Sequence, residues 1–210
     1  MSTIIQAVPR QYRMKARADT VEETRRKVLE ATREAILAGP TPTVSMGDIA
    51  RRAGVARSTL YSTYGSMAGL VGAVSVDAQM RAGFDRVLEL FNLPDAAEGM
   101  IRALPEGAHM YGSDYEMTRR VRVLARLDPE VMNGLVLGDQ VRAGGMRYQA
   151  DRLSEQGRLR PEVTPERAAT LLWLLTSFDT YDGLHTTWGM DSGQIGELLV
   201  AIAGRLLLRD

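Results

Sequence analysis

The stretch from Arg57 to Thr63 holds one arginine and four small hydroxyl side chains, Ser58, Thr59, Ser62 and Thr63. On a helix they share a broad face opposite Leu60. An arginine fork matches the edge of guanine, and Ser or Thr hydroxyls bond to bases or phosphates. This is chemistry for reading a nucleic acid. Bond-making chemistry has no comparable cluster. The chain has no cysteine and two histidines, and neither a glycine-rich phosphate loop after a strand nor a nucleophile elbow occurs. The residues do not point to an enzyme, and no cofactor is implied.

A reading helix needs a rigid platform. Thr43 to Leu70 reads TVSMGDIARRAGVARSTLYSTYGSMAGL. The pattern predicts a short helix from Met46 to Ala53, with Ser45 as N-cap and Asp48 three residues on as an imperfect capping box. A second helix is predicted from Arg57 to Thr63. Ala53-Gly54-Val55 between them is the tight glycine-containing turn of a helix-turn-helix. Ile49, Ala50, Val55 and Leu60 face inward. Thr43 and Ser45 stand at a helix N-terminus, whose free N–H groups suit phosphate. The DNA-binding candidates are therefore Thr43, Ser45, Arg57, Ser58, Thr59, Tyr61, Ser62, Thr63 and Tyr64.

Ahead of this unit, residues 1–19 form a basic arm with Arg10, Arg13, Lys15 and Arg17, suited to a minor groove or to phosphates. A first helix is predicted from Thr20, as N-cap, to Leu37 or Ala38, stopped by Gly39-Pro40. Its apolar face is Val21, Val28, Ala31, Ala35 and Ile36, with Leu29 at the edge. Residues 20–66 then form the DNA-binding domain, and 67–210 a second helical domain.

At Ile49-Ala50, Ala53-Gly54-Val55, Thr59-Leu60-Tyr61, Tyr64, Ser66 and Leu70 the chain resembles the tetracycline-repressor (TetR) family of bacterial regulators. The resemblance implies an all-α protein: an N-terminal three-helix helix-turn-helix DNA-binding domain, then a C-terminal helical ligand-binding and dimerisation domain. It implies a cytoplasmic repressor, released from a palindromic operator in double-stranded DNA by a small, largely apolar effector. It also implies a phosphate contact for Tyr61 and a packing role for Tyr64. The sequence departs from the family pattern at Ala56, Ser58, Thr63 and Met67, where the family has Ser or Thr, Gly, His and a phosphate-binding Lys. Met67 cannot make that contact. The alternatives are a helical interaction protein with weakened DNA binding, or a ligand-dependent activator or co-repressor.

Beyond residue 66 the 3.6-residue period predicts helices near 67–90, 95–109, 114–127, 129–156, 165–187 and 192–208. Pro105, Asp128-Pro129, Gly157 and Pro161–Pro165 supply the breaks. Gly134, Gly138, Gly144 and Gly145 in the long 129–156 helix suggest close contacts, a kink or softening. The 165–187 helix is apolar on several faces, and the last helix carries a stripe of Ile195, Leu198, Leu199, Ile202 and Leu206. In the resembled family the last two helices pair with their copies, which implies a homodimer through the helices near 165–187 and 192–208. The chain has eleven methionines, adaptable pocket or core residues. The ligand-binding candidates are Met117, Tyr111, Tyr115, Tyr148, Trp173 and Phe178. Asp179, Asp182 and His185 recur every three residues, but the third lies two turns from the first, so no metal site is expected.

Formal net charge is zero, yet it is unevenly spread. Residues 1–72 carry 11 Lys and Arg against 6 Asp and Glu; residues 73–210 carry 15 against 20. A basic head on an acidic body orients toward a polyanion. Met1 to Arg10 lacks the pattern of a signal peptide. The longest nearly apolar stretch, Ala168 to Phe178, is far below the ~20 residues of a membrane span. A soluble cytoplasmic protein without a membrane partner is expected.

Overall fold

The computed structural model describes the backbone of residues 10–38 and 44–209, and side chains in those ranges from residue 19 on. The described residues form eleven helices and no strand. They are α1 (Arg10–Leu37), α2 (Met46–Ala53), α3 (Arg57–Tyr64), α4 (Met67–Arg81), α5 (Phe84–Phe91), α6 (Ala96–Ser113), α7 (Tyr115–Leu127), α8 (Pro129–Glu155), α9 (Pro165–Leu175), α10 (Phe178–Trp188) and α11 (Ser192–Leu207). An isolated antiparallel bridge, Leu159 to Leu208, ties the α8–α9 loop to the end of α11.

Two cores organise the helices. Val28, Leu29, Ile36, Ile49, Leu60 and Leu70 fill the first, which also takes Met117, Val121 and Leu124 from α7 and Val131 from α8. The second lies among α6, α8, α9 and α11, around Met100, Leu153, Leu172, Ile195 and Leu207. The three-helix head is therefore not closed on itself, because α7 completes its core. Arg33 of α1 also pairs with both carboxylate oxygens of Asp114 at the α6–α7 junction, its Nη2 lying 2.6 Å from Oδ1. That carboxylate holds the Arg33 guanidinium above its ordinary range.

The structure corrects several boundaries. α1 begins at Arg10, not Thr20; Thr20 lies inside it and its carbonyl accepts the Thr24 hydroxyl. The run from Arg10 to Ala18 is rich in Arg, Lys, Gln and Ala, which favour helix intrinsically. Val21 is 66% exposed, whereas Leu29 is buried. The Gly39-Pro40 stop and residues 1–9 of the basic arm lie outside the described residues. The single helix expected over 67–90 is two, parted at Gly83, whose φ of +89° suits glycine. The 165–187 helix is also two, with the Ser177 hydroxyl accepting the Thr180 N–H to start α10.

Pro105 does not break its helix. α6 continues to Ser113 because α11 packs on it there, with Gly196 against the proline; a Cβ at Gly196 would stand 2.9 Å from Pro105 Cα. Close packing thus offsets the hydrogen bond that proline removes. The glycines of α8 do the opposite of what close contact requires. A Cβ at Gly134, Gly138, Gly144 or Gly145 would meet nothing within 4 Å.

Candidate functional site

α2 and α3 are held at a fixed angle by a small core and a glycine turn. Ile49, Ala50 and Ala53 of α2 and Leu60 of α3 are buried, and Val55 packs beside them. Gly54 takes φ +68°, which ends α2 and turns the chain. The Val55 N–H donates to the Ala50 carbonyl at 3.0 Å. At the start of α2, the Ser45 hydroxyl accepts the Asp48 N–H at 3.1 Å and donates to the Asp48 carboxylate at 2.8 Å. The hydrogen bond from the Ser45 hydroxyl, and after it one from the Arg51 guanidinium, hold the Asp48 carboxyl below its ordinary range.

α3 buries Leu60, half-buries Tyr64, and leaves Arg57, Ser58, Thr59, Tyr61, Ser62 and Thr63 exposed. Its N-cap is Ala56, which has no hydroxyl, so the first turn lacks a side-chain cap. The Ser62 hydroxyl donates to the Thr59 carbonyl at 3.0 Å. Tyr64 packs on the head core, and burial pushes its phenol pKa up. Met67 also packs against that core. Thr43 lies outside the described residues.

Sequence reasoning passed over Gly69. A Cβ there would collide with the Tyr64 carbonyl oxygen, so this glycine lets α4 start directly on the end of α3. A glycine in the first turn of a helix was the available signal. Also unforeseen was the side-chain pairing on α3. Arg57 Nη2 donates to the Tyr61 hydroxyl at 3.1 Å, and the guanidinium carbon lies 5.4 Å from the Tyr61 ring centroid.

In the body, α5, α6, α8, α9, α10 and α11 line a partly open apolar cavity of about 80 Å³. Phe84, Val87 and Phe91 form one wall, Leu104, Ala108 and Tyr111 another, and Met146, Leu175 and Leu199 close it. Its polar groups are already engaged. Tyr111 donates to the Thr176 carbonyl at 3.3 Å, and Tyr181 Oη lies 2.8 Å from the Ser192 hydroxyl. Arg142 donates to the Trp173 carbonyl at 2.6 Å and the Thr176 hydroxyl at 3.1 Å. Burial raises the Tyr111 pKa.

Of the six ligand-binding candidates, Tyr111 lines this cavity. Met117 sits in the head core. Tyr115 stacks on Phe178 beside the cavity, tilted to Tyr181 and edge-on to His185. The Tyr115 hydroxyl donates to Asp182 at 2.5 Å; burial, then that bond, push its pKa up to about 12. Tyr148 is exposed beside Arg152, and Trp173 lies under Arg142. The lining residues Phe84, Val87, Phe91 and Met146 are ordinary apolar positions, so no local pattern marks them.

Asp179 pairs with Arg122, Asp182 accepts Tyr115, and His185 Nδ1 lies 2.9 Å from the Met190 carbonyl. Among the described residues no group of three or more His, Asp or Glu is placed to hold a metal ion, and no helix is long and apolar enough to cross a membrane.

The family described as "Bacterial regulatory proteins, tetR family" matches residues 28–74. No curated protein sequence matches the chain. Among solved structures it is similar to NalD, the secondary repressor of the MexAB-OprM multidrug efflux pump in Pseudomonas aeruginosa, with a TM-score of 0.70 and 22% identity over 90% of this chain and 98% of that one. It is similar to SmeT of Stenotrophomonas maltophilia in complex with triclosan, with a TM-score of 0.71 and 15% identity over 89% of this chain and 92% of that one. A third likeness is to a protein of Saccharomonospora viridis solved with choline, with a TM-score of 0.63 and 17% identity over 90% of this chain and all of the other. At these identities the likeness shows the fold. The match at residues 28–74 marks the helix-turn-helix head as one of the kind found in the tetR family of bacterial regulatory proteins, and the all-helical body shares the fold of NalD and SmeT.

Proposed function

We propose that this protein is a sequence-selective transcriptional repressor that binds a palindromic operator as a dimer and leaves it when a small, apolar ligand enters the body. The observation that carries the reading is the exposure of the whole polar face of α3, held rigid by Leu60 and the Gly54 turn. Two such helices in a dimer would read half-sites about 34–36 Å apart or a multiple of that. Thr43, Ser45, Arg57, Ser58, Thr59, Tyr61, Ser62, Thr63 and Tyr64 are the proposed contact set. Exposed apolar side chains on the paired-helix candidates support dimerisation there: Trp173 at 37%, Leu174 at 53% and Trp188 at 75% exposure.

The cavity is the proposed effector site. It is smaller than the about 300–1,000 Å³ of drug-sized pockets, so such a ligand needs the lining helices to move, and α5 is the one joined directly to α4. α5 follows α4 through Gly83, and α4 begins on α3 at Gly69. Displacement of α5 would therefore reach the reading helix in two steps. The ligand must bind the released state more tightly, or nothing shifts.

Fluorescence anisotropy against duplexes including the region upstream of its own gene, at two salt concentrations, tests this. Selective binding that weakens with salt is expected. Arg57→Ala should weaken it by about 5- to 150-fold, the worth of a bidentate base contact. A folded dimer that binds no duplex at low salt would favour the interaction-protein reading, to which the inward packing of Met67 lends support.

A further inference from the structure

We infer that Tyr61 is a positioning residue that presets Arg57 for reading a guanine, which makes the Arg57–Tyr61 pair the specificity element of α3. The inference rests on the DNA-binding reading proposed above. The two residues stand four apart on the helix and so share a face. Two independent contacts join them: the 3.1 Å hydrogen bond from Arg57 Nη2 to the Tyr61 hydroxyl, and the guanidinium lying 5.4 Å from the ring centroid.

Charge bookkeeping separates Arg57 from Arg51. Arg51, on α2, is paired with the Asp48 carboxylate. Arg57, like Arg52, has no ion pair among the described residues, and its guanidinium is directed by a neutral partner and not by a carboxylate. A guanidinium has five N–H donors. One goes to Tyr61, and a parallel pair still remains for guanine O6 and N7. A long side chain free in solution loses rotamer freedom when it docks. Tyr61 removes part of that loss before DNA arrives. The tyrosine is itself 43% exposed, so its hydroxyl hydrogen is also open to a phosphate, and the two roles must be told apart.

They differ in what they do to sequence preference. A phosphate contact contributes to all sequences alike, whereas support for a base contact acts at one base pair. The experiment starts from duplexes with a randomised 30-base-pair segment, enriched by the full chain and by its Arg57→Ala, Tyr61→Phe and doubly substituted variants. Anisotropy titrations on the most enriched duplex follow, with circular dichroism to confirm folding. Tyr61→Phe keeps the ring and removes the hydroxyl. It should cost about two- to tenfold in affinity, the worth of one hydrogen bond. The loss should fall on the same base pair that Arg57→Ala relaxes. In the Arg57→Ala background the same change should cost nearly nothing, because coupled residues are non-additive.

An equal loss in both backgrounds, or a loss spread over all sequences, would overturn the inference and make Tyr61 a phosphate contact. A wild-type chain that enriches no sequence would overturn the DNA-binding reading itself. An enriched motif without coupling leaves that reading intact and removes this one.

Discussion

The polar face of α3 is written within Arg57 to Thr63, while the cavity draws on residues from Phe84 to Leu199. Both are built from helices, but the information for them is stored differently. On α3, Leu60 is buried and the other side chains from Arg57 to Thr63 face outward, so a helical period read along seven residues states the surface. In the cavity α6 contributes six residues and each other helix three or fewer, and most of them are apolar like the rest of the core. Whether Phe84, Met146 or Leu199 borders a void or a neighbour is a property of six packed helices together. The head can be read from its composition; the body can be read only after it is folded.

Substitutions can break or sharpen this contrast. The largest effect is expected at Leu60→Ala. It empties a fully buried position shared by α3 and the head core and should destabilise by about 2–5 kcal/mol, measured by urea unfolding. A cost below 1 kcal/mol would show that the head repacks around the gap and that α3 is not rigidly held. Gly196→Ala tests the body in the same way from the opposite direction. It adds a methyl against Pro105 and should cost about 1–3 kcal/mol through overpacking. A neutral result in thermal unfolding would mean that the α6–α11 crossing yields to a methyl group without strain.

A smaller effect is expected at Ser45→Ala. Loss of the α2 cap should cost about 1 kcal/mol of stability. It should weaken DNA binding only as far as α2 frays; a much larger loss in binding than in stability would give Ser45 a phosphate contact of its own. The smallest effect concerns Tyr115. Its folded-state pKa of about 12 lies above the ordinary 10.0, so the neutral phenol is the stabilised form. Its contribution is complete below pH 10 and is lost as the pH rises from there toward 12. Tyr115→Phe should flatten that part of a stability–pH profile. An unchanged alkaline slope would show that Tyr115 does not set it.

How far the sequence reached can be argued residue by residue. α2, with Ser45 as its cap and Gly54 as its turn, stands where local chemistry placed it, since a side-chain cap and a left-handed glycine act over three or four residues. The breaks at Gly83 and Thr176-Ser177 were missed because the apolar period runs on across them. Pro105 misled for the converse reason: a local breaker was overridden by a neighbour, Gly196, ninety-one positions away.

The sequence by itself determined the all-helical class, the helix-turn-helix and its outward polar face, because these depend on periods, caps and turns spanning a few residues. Only the tertiary structure decided that α7 completes the head core, that Arg33 is tied to Asp114, that α5 is a separate wall, and that Met117 lies in the head core while Tyr111 faces the cavity. Those facts depend on which distant apolar faces meet. Apolar side chains attract one another without direction, so the chain states that they will be buried but not against whom.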